Sequence, residues 1–247
     1  METWVALAAG LLAGAVSGLS GFGYALVSVP LLLLVFDPTT VIVALSFAGI
    51  LINALVVLDS WRELDAGIVL SLLPWSAIGL VGGTQVLRIA EPIHIELAAG
   101  ILVVAFAAAL WKGVRLPGAQ GRWGTVVAGA STGVMATSTG LGGPPIVMLF
   151  AARNLARDSF RASSAGYFLA LAAITLSLLF ARGMVETSHA PVTALLIPTA
   201  FAGKAVGTKI AKELESSTFR RVALGIILLS GTAGMATSGW QLLQQLL

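Results

Sequence analysis

The sequence predicts an all-α polytopic membrane protein made of two inverted repeats, each a broken-helix hairpin followed by three spanning helices. Of the 247 residues, 57% are hydrophobic and only 10% are charged, with a mean hydropathy of +0.97, whereas soluble domains carry about 25% charged residues. Apolar runs of roughly 20 residues, the length that crosses a bilayer, cover nearly the whole chain. The two halves also share a spaced pattern of glycine and proline.

Polar breaks divide each half of the chain into apolar segments. The predicted N-terminal repeat, residues 1–118, holds a hairpin at 4–36 and helices at 40–58, 66–87 and 94–111. The predicted C-terminal repeat, residues 119–247, holds a hairpin at 123–152 and helices at 160–181, 190–211 and 219–240. The six single helices have lengths near one full crossing and almost no interior charge, which is typical of spanning helices.

Each hairpin is predicted from an apolar stretch that glycine interrupts. Residues 4–36 would form a helix of about 50 Å at 1.5 Å per residue, which is too long for one crossing. The two interruptions read Ser17-Gly18-Leu19-Ser20-Gly21-Phe22-Gly23 and Thr137-Ser138-Thr139-Gly140-Leu141-Gly142-Gly143-Pro144-Pro145. Glycine and proline break helices, and non-helical backbone at membrane depth is found only inside protein or beside water.

The glycine pattern indicates an internal duplication. A shift of 119 residues places Gly10, Gly14, Gly21 and Gly23 on Gly129, Gly133, Gly140 and Gly142 without a gap. A shift of 124 residues places Pro74, Gly79, Gly83 and Thr84 on Pro198, Gly203, Gly207 and Thr208. Two spaced patterns in the same order are hard to obtain by chance.

The basic residues predict the orientation of the repeats. If each hairpin returns to its starting side, each half makes three net crossings and the second half is inverted. The loops at 59–65, 112–122, 152–161 and 209–221 then share one side with eleven basic residues, against Arg88 and Arg182 on the other. If each hairpin instead crossed the membrane once, eight basic residues would lie on one side and five on the other. Because basic residues collect in the cytoplasm, inverted repeats with both termini outside are predicted.

Broken helices at matching positions of inverted repeats are typical of secondary transporters, which bind substrate near the membrane midplane. The short helices that begin near Gly23 and Gly143 would point their N-termini there, and a helix N-terminus favours an anion. Glycine lets backbone approach a small ligand, and hydroxyl groups add neutral donors. The candidate substrate-binding residues are Ser17, Ser20, Gly21, Phe22, Gly23, Asn53, Thr137, Ser138, Thr139, Gly140, Leu141, Gly142, Gly143 and Lys204.

For three groups of residues the sequence allows a role other than substrate binding. The small-xxx-small spacing of Gly10 with Gly14, and of Gly129 with Gly133, favours helix packing over ligand contact. Lys204 either supplies a counter-charge for the anion or extends its ammonium to the membrane interface. Asn53 either contacts substrate or forms an interhelical hydrogen bond.

These motifs resemble the sulfite exporter TauE/SafE family. The resemblance rests on the Gly-x-Gly interruption followed by an apolar run with Pro30, on its repeat at 140–144, and on the Pro-x4-Gly-x3-Gly helix after each hairpin. It implies a transporter in the plasma (inner) membrane that handles sulfite or an organosulfonate such as sulfoacetate. Pro144-Pro145 stands where the first half has Ala25-Leu26, so the two hairpins are not chemically equivalent.

The composition argues against several other functions. The chain has no cysteine, and His94 and His189 lie between apolar runs as expected solvated loop residues, so we expect no metal site, no cofactor and no enzyme activity. No carboxylate is expected at mid-membrane, so the membrane potential or a proton on the substrate would drive transport.

The expected partners are a small anionic substrate and the lipid bilayer, without nucleic acid. A homodimer is left open, as is a membrane-embedded enzyme or an assembly factor without transport activity.

Overall fold

A computed structural model describes residues 2–20, 23–112, 121–213 and 216–246. Within these residues the chain forms ten α-helices and no strand. The helices are α1 Glu2–Ser20, α2 Tyr24–Leu32, α3 Pro38–Ser60, α4 Ala66–Ile89, α5 Pro92–Trp111, α6 Arg122–Ser138, α7 Gly143–Ala152, α8 Arg157–Ala181, α9 Ala190–Glu213 and α10 Ser216–Leu246. In this described part, α3, α4, α5, α8 and α9 are long and apolar enough to cross a membrane. The predicted all-α membrane fold is confirmed, and its division into two inverted repeats stays a prediction.

The helix α2 is shorter than the apolar pattern of the sequence predicts. This helix ends at Leu32, whereas the apolar run continues to residue 36. The chain turns because the next helix begins at once: the Asp37 carboxylate accepts a hydrogen bond of 2.9 Å from the amide of Thr40. Pro38 occupies the start of α3, where the missing N–H needs no partner. The residues of this turn are still apolar, and one of them, Leu33, is buried.

Both hairpins turn at glycines with left-handed backbone. In the first hairpin, formed by α1 and α2, Gly23 precedes α2 with a φ of 94°. In the second hairpin, formed by α6 and α7, Gly140 has a φ of 77°. The amides of Thr139 and Leu141 both donate to the carbonyl of Met135, at 2.9 and 3.2 Å, which ends α6. Residues with a Cβ rarely adopt these φ values, so glycine is required at both turns.

The first arm of each hairpin packs in parallel against a helix of the other half. The facing residues are Gly10–Thr199, Gly14–Ala200 and Gly18–Lys204 between α1 and α9, and Gly129–Trp75, Gly133–Ser76 and Thr137–Leu80 between α6 and α4. Adding 119 to the α1 residue of each pair, and subtracting 124 from the α9 residue, gives the corresponding pair between α6 and α4. A methyl group on Gly14 or Gly133 would overlap the opposing backbone. These glycines therefore pack helices, as their spacing predicted.

Two further helix pairs join the halves in the antiparallel direction. α3 packs on α8, where the rings of Phe47 and Phe180 meet edge to face with centroids 6.5 Å apart and Gly49 lies beside Ala172. α5 packs on α10 through the pairs Gly100–Met235, Val103–Gly231 and Glu96–Ser238. In both pairs the residue numbers rise along one helix as they fall along the other.

The glycine contacts predict that Gly14→Ala destabilises the fold. The added methyl group would overlap the carbonyl group of Ala200, and overpacking of this kind costs about 1–3 kcal/mol. Gly239→Ala is the matched control, because Gly239 lies in α10 with open space beside it. Melting temperatures in detergent should fall for Gly14→Ala and not for Gly239→Ala. Equal melting temperatures for the two variants would contradict the packing account.

Candidate functional site

A cavity of about 150 Å³ lies between the two hairpins. Its walls come from both hairpins and from α3, α5 and α8. Most of the lining is apolar, and the polar side chains in it are Ser17, Tyr24, Ser46, Asn53 and Thr175. Among the described residues that line it, none carries a formal charge. An anion in this cavity would therefore be held by neutral hydrogen-bond donors.

The structure brings part of the predicted site together. Six of the predicted residues line the cavity, namely Ser17, Gly23, Asn53, Gly140, Gly142 and Gly143. Five others are not among the lining residues, namely Thr137, Ser138, Thr139, Leu141 and Lys204. Gly21 and Phe22 lie outside the described residues, as does the side chain of Ser20. The glycines at both hairpin turns thus meet at one cavity, whereas the hydroxyl groups at 137–139 do not reach its wall.

The hydroxyl groups of Thr137 and Thr139, at the end of α6, donate to backbone carbonyls of the protein. Thr137 is fully buried, and its hydroxyl donates to the carbonyl of Leu80 on α4 at 2.9 Å. The hydroxyl of Thr139 donates to the carbonyl of Met135 at 3.0 Å, one turn earlier in its own helix. The same carbonyl accepts the amides of Thr139 and Leu141, so the hydroxyl of Thr139 adds a third hydrogen bond at the end of α6.

Lys204 lies on α9 beside the end of α1. Its backbone faces Gly18, and its carbonyl accepts a hydrogen bond of 2.8 Å from the Thr208 hydroxyl. The side chain is half-buried and is not part of the cavity lining. The role of Lys204 in substrate binding therefore stays a prediction. Its alternative role, with the ammonium at the membrane interface, also stays a prediction.

The N-termini of α2 and α7 both lie at the cavity, but they offer different donors. α2 begins with Tyr24 and Ala25, whereas α7 begins with Gly143, Pro144 and Pro145. Neither N-cap residue, Gly23 nor Gly142, supplies a capping side chain. Proline has no N–H, so the first turn of α7 has fewer amide donors than the first turn of α2. Attraction of an anion to a helix N-terminus is therefore stronger at α2.

Sequence reasoning missed three polar residues of the cavity, namely Tyr24, Ser46 and Thr175. Ser46, Gly49 and Asn53 recur on one face of α3, and all three line the cavity. Asn53 was singled out, so helical spacing would have found Ser46. The hydroxyl of Ser46 donates to the Ile42 carbonyl at 2.7 Å, and the Asn53 amide donates to the Gly49 carbonyl at 2.7 Å. The Asn53 amide carries a second N–H and an oxygen that a ligand can use.

The histidines lie away from the cavity. His94 lies in α5 and is exposed, and its Nδ1 is 3.8 Å from Oε2 of Glu91. The expectation of a solvated loop residue is wrong for His189, which is 7% exposed. Its Nδ1 accepts the amide N–H of Glu186 in a capping box. Within the described ranges, no three His, Cys, Asp or Glu side chains group together as a metal site.

Comparison with protein families gives one match. A family model described as Sulfite exporter TauE/SafE matches residues 6–233. Comparisons with curated proteins and with solved structures give no match. The family match begins within α1 and includes both hairpin turns and every residue of the cavity lining.

The turn of the second hairpin predicts that Gly140→Ala lowers the free energy of unfolding. A left-handed residue with a Cβ costs about 1–2 kcal/mol, and the new methyl group would lie 3.0 Å from Val29 of α2. Gly183→Ala is the control, because Gly183 has a φ of 66° with nothing within 4 Å. Both variants should melt at lower temperature in detergent, and Gly140→Ala by the larger amount. A smaller loss for Gly140→Ala would show that the hairpin turn is not packed as described.

Proposed function

The chain belongs to the sulfite exporter TauE/SafE family, and we propose that it is a secondary transporter that exports a small sulfur-containing anion such as sulfite or an organosulfonate. The observation that carries this proposal is the family match over residues 6–233. Members of this family are transporters rather than enzymes, so we propose no catalytic activity for this chain. The cavity between the hairpins is the proposed binding site.

Neutral donors are proposed to hold the anion at the N-terminus of α2. The amide groups of the first turn and the positive end of the helix dipole both favour negative charge. The side chains of Ser17 and Asn53 line the same cavity and can add hydrogen bonds. The described residues of the cavity lining carry no formal charge, so these neutral donors are the proposed contacts of the anion.

The helix directions support the inverted-repeat arrangement that we propose. In the two halves α3 corresponds to α8, and α5 corresponds to α10. Corresponding helices of inverted repeats run in opposite directions, whereas those of parallel repeats run in the same direction. The contacts of Phe47 with Phe180 and of Gly100 with Met235 belong to antiparallel pairs. Each half therefore changes the direction of the chain an odd number of times, which agrees with hairpins that return to their starting side.

The proposed location is the plasma membrane, with both termini outside and the loop at 152–161 in the cytoplasm. Eleven basic residues then lie on the cytoplasmic side, against Arg88 and Arg182 outside. In this orientation a negative-inside potential favours anion export by about 2.3 kcal/mol per charge per 100 mV. The membrane potential, or a proton carried on the substrate, is therefore the proposed driving force.

Binding is tested by the melting temperature of the purified protein with sulfite, methanesulfonate, sulfate and acetate. A ligand that binds only the folded state raises the melting temperature, so sulfite or methanesulfonate should raise it and acetate should not. Transport is tested with liposomes loaded with labelled sulfite, from which efflux should be faster when the interior is negative. No stabilisation by any sulfur anion, together with efflux equal to that of protein-free liposomes, would contradict the proposed function.

The orientation is tested with single cysteines in this cysteine-free chain. Ala156 and Thr187 are both exposed and lie at opposite ends of α8. In intact cells an impermeant thiol reagent should label Thr187→Cys and should leave Ala156→Cys unlabelled until the cells are opened. The reverse pattern would place the basic loops outside, and labelling of neither position in opened cells would show that the reagent does not reach them.

A further inference from the structure

The hydrogen-bonding side chains of the cavity come mainly from the first hairpin and α3. Among the described lining residues, these elements supply Ser17, Tyr24, Ser46 and Asn53. The second hairpin and α5 supply only glycine, alanine, proline and larger apolar residues, and α8 adds a single hydroxyl, that of Thr175. The side chains that can bond an anion and those that can make only apolar contact thus come largely from different helices.

Three of these helices contribute a large apolar side chain that keeps accessible surface. Phe106 of α5, Met148 of α7 and Phe168 of α8 line the cavity, and each is half-buried. The Phe168 ring lies at the turn of the second hairpin, 4.0 Å from the position that a Cβ would take on Gly143. It also meets the ring of Tyr167 edge to face, with centroids 5.5 Å apart. Packing on Tyr167 and on the hairpin turn therefore holds Phe168 at the cavity.

The cavity is larger than an inorganic sulfur anion needs. Its volume is about 150 Å³, and an apolar cavity of about 150 Å³ engineered into another protein binds benzene. Sulfite is smaller than benzene, so an inorganic anion would leave part of the apolar lining without contact. Ligand sites of this kind bury the apolar body of a ligand, while a few polar groups fix its orientation. A ligand that fills the cavity therefore carries an apolar group beside its anionic group.

The described lining also limits the charge of the ligand, because it carries no formal charge. One negative charge is stabilised by the positive end of the α2 dipole and by neutral donors such as the amide of Asn53, which is half-buried. A second negative charge would lose its water without gaining a cation, and burying an unpaired charge is costly. The lining thus favours a ligand with a single negative charge.

We propose that the cavity selects singly charged sulfonates with a short apolar group over inorganic sulfur anions and over doubly charged sulfonates. This inference rests on the proposed function, because it narrows the substrate class of the same cavity. The family supplies the sulfur group, and the lining supplies the preference for one charge and an apolar substituent. The sulfonate group lies near Ser17 and Asn53, and the apolar group lies against Phe106, Met148 and Phe168.

The test is a series of ligands on the wild-type protein, with dissociation constants measured by calorimetry. Methanesulfonate, ethanesulfonate and 1-propanesulfonate differ only in methylene groups, and each buried methylene should lower the dissociation constant about three- to fourfold. Sulfoacetate is close to ethanesulfonate in size but carries a second negative charge, so it should bind about tenfold more weakly. Sulfite and sulfate should also bind more weakly than ethanesulfonate.

Met148→Gln tests the apolar lining with little change in side-chain volume. Wild type should bind 1-propanesulfonate about tenfold more tightly than methanesulfonate. Met148→Gln should reduce that ratio to about threefold, since the new amide loses its water against the alkyl chain. Met184→Gln is the matched control and should keep the wild-type ratio, because Met184 is also half-buried but is not part of the cavity lining. If Met148→Gln does not fold, the ligand series on wild type decides alone.

Dissociation constants that stay equal or rise from methanesulfonate to 1-propanesulfonate would overturn the inference. Sulfoacetate that binds as tightly as ethanesulfonate would also overturn it, as would the wild-type ratio in folded Met148→Gln. In each of these cases transport of sulfite leaves the proposed function in place. If the wild-type protein binds no sulfur anion of the series and does not transport sulfite, the proposed function fails and this inference fails with it.

Discussion

Direct backbone contact between helices of different halves, α1 with α9 and α4 with α6, determines where the rest of the molecule lies. Lipid is as apolar as leucine, so membrane helices associate through close packing rather than through hydrophobic burial. Gly14 and Gly133 permit that packing, because the opposing backbone occupies the space that a side chain would need. Each hairpin is therefore held in place by a spanning helix of the other half, and this contact brings both hairpin turns to one cavity.

The two hairpins share a backbone design and differ in chemistry. Equivalent contacts hold α1 and α6, yet α2 begins with Tyr24 and α7 begins with Gly143 and two prolines. Proline removes amide donors from the start of α7. One hairpin thus offers amide donors at the start of its second helix, whereas the other offers mainly shape. This asymmetry favours the binding of an anion near the first hairpin, beside Ser17 and Asn53.

Much of the fold could be predicted from the sequence because lipid imposes a simple constraint. A chain must be apolar and helical to cross, so helix positions follow from apolar runs and breaks follow from glycine and proline. The site was harder to predict because a hydroxyl group near a helix break has two uses. Thr137 and Thr139 donate to backbone carbonyl groups and lie outside the cavity lining, whereas Ser17 lines the cavity. Sequence position does not distinguish these uses, since the difference depends on which neighbouring helix each side chain faces.

Anomalous diffraction can show whether the anion binds between the hairpins, as we propose. Selenite has the shape and charge of sulfite, and selenium scatters anomalously. We expect a selenium peak inside the cavity, close to Ser17, Gly23 and Gly142, in crystals soaked with selenite. A peak confined to surface arginines, or no peak in a protein that binds sulfite in solution, would show that the anion does not bind in this cavity.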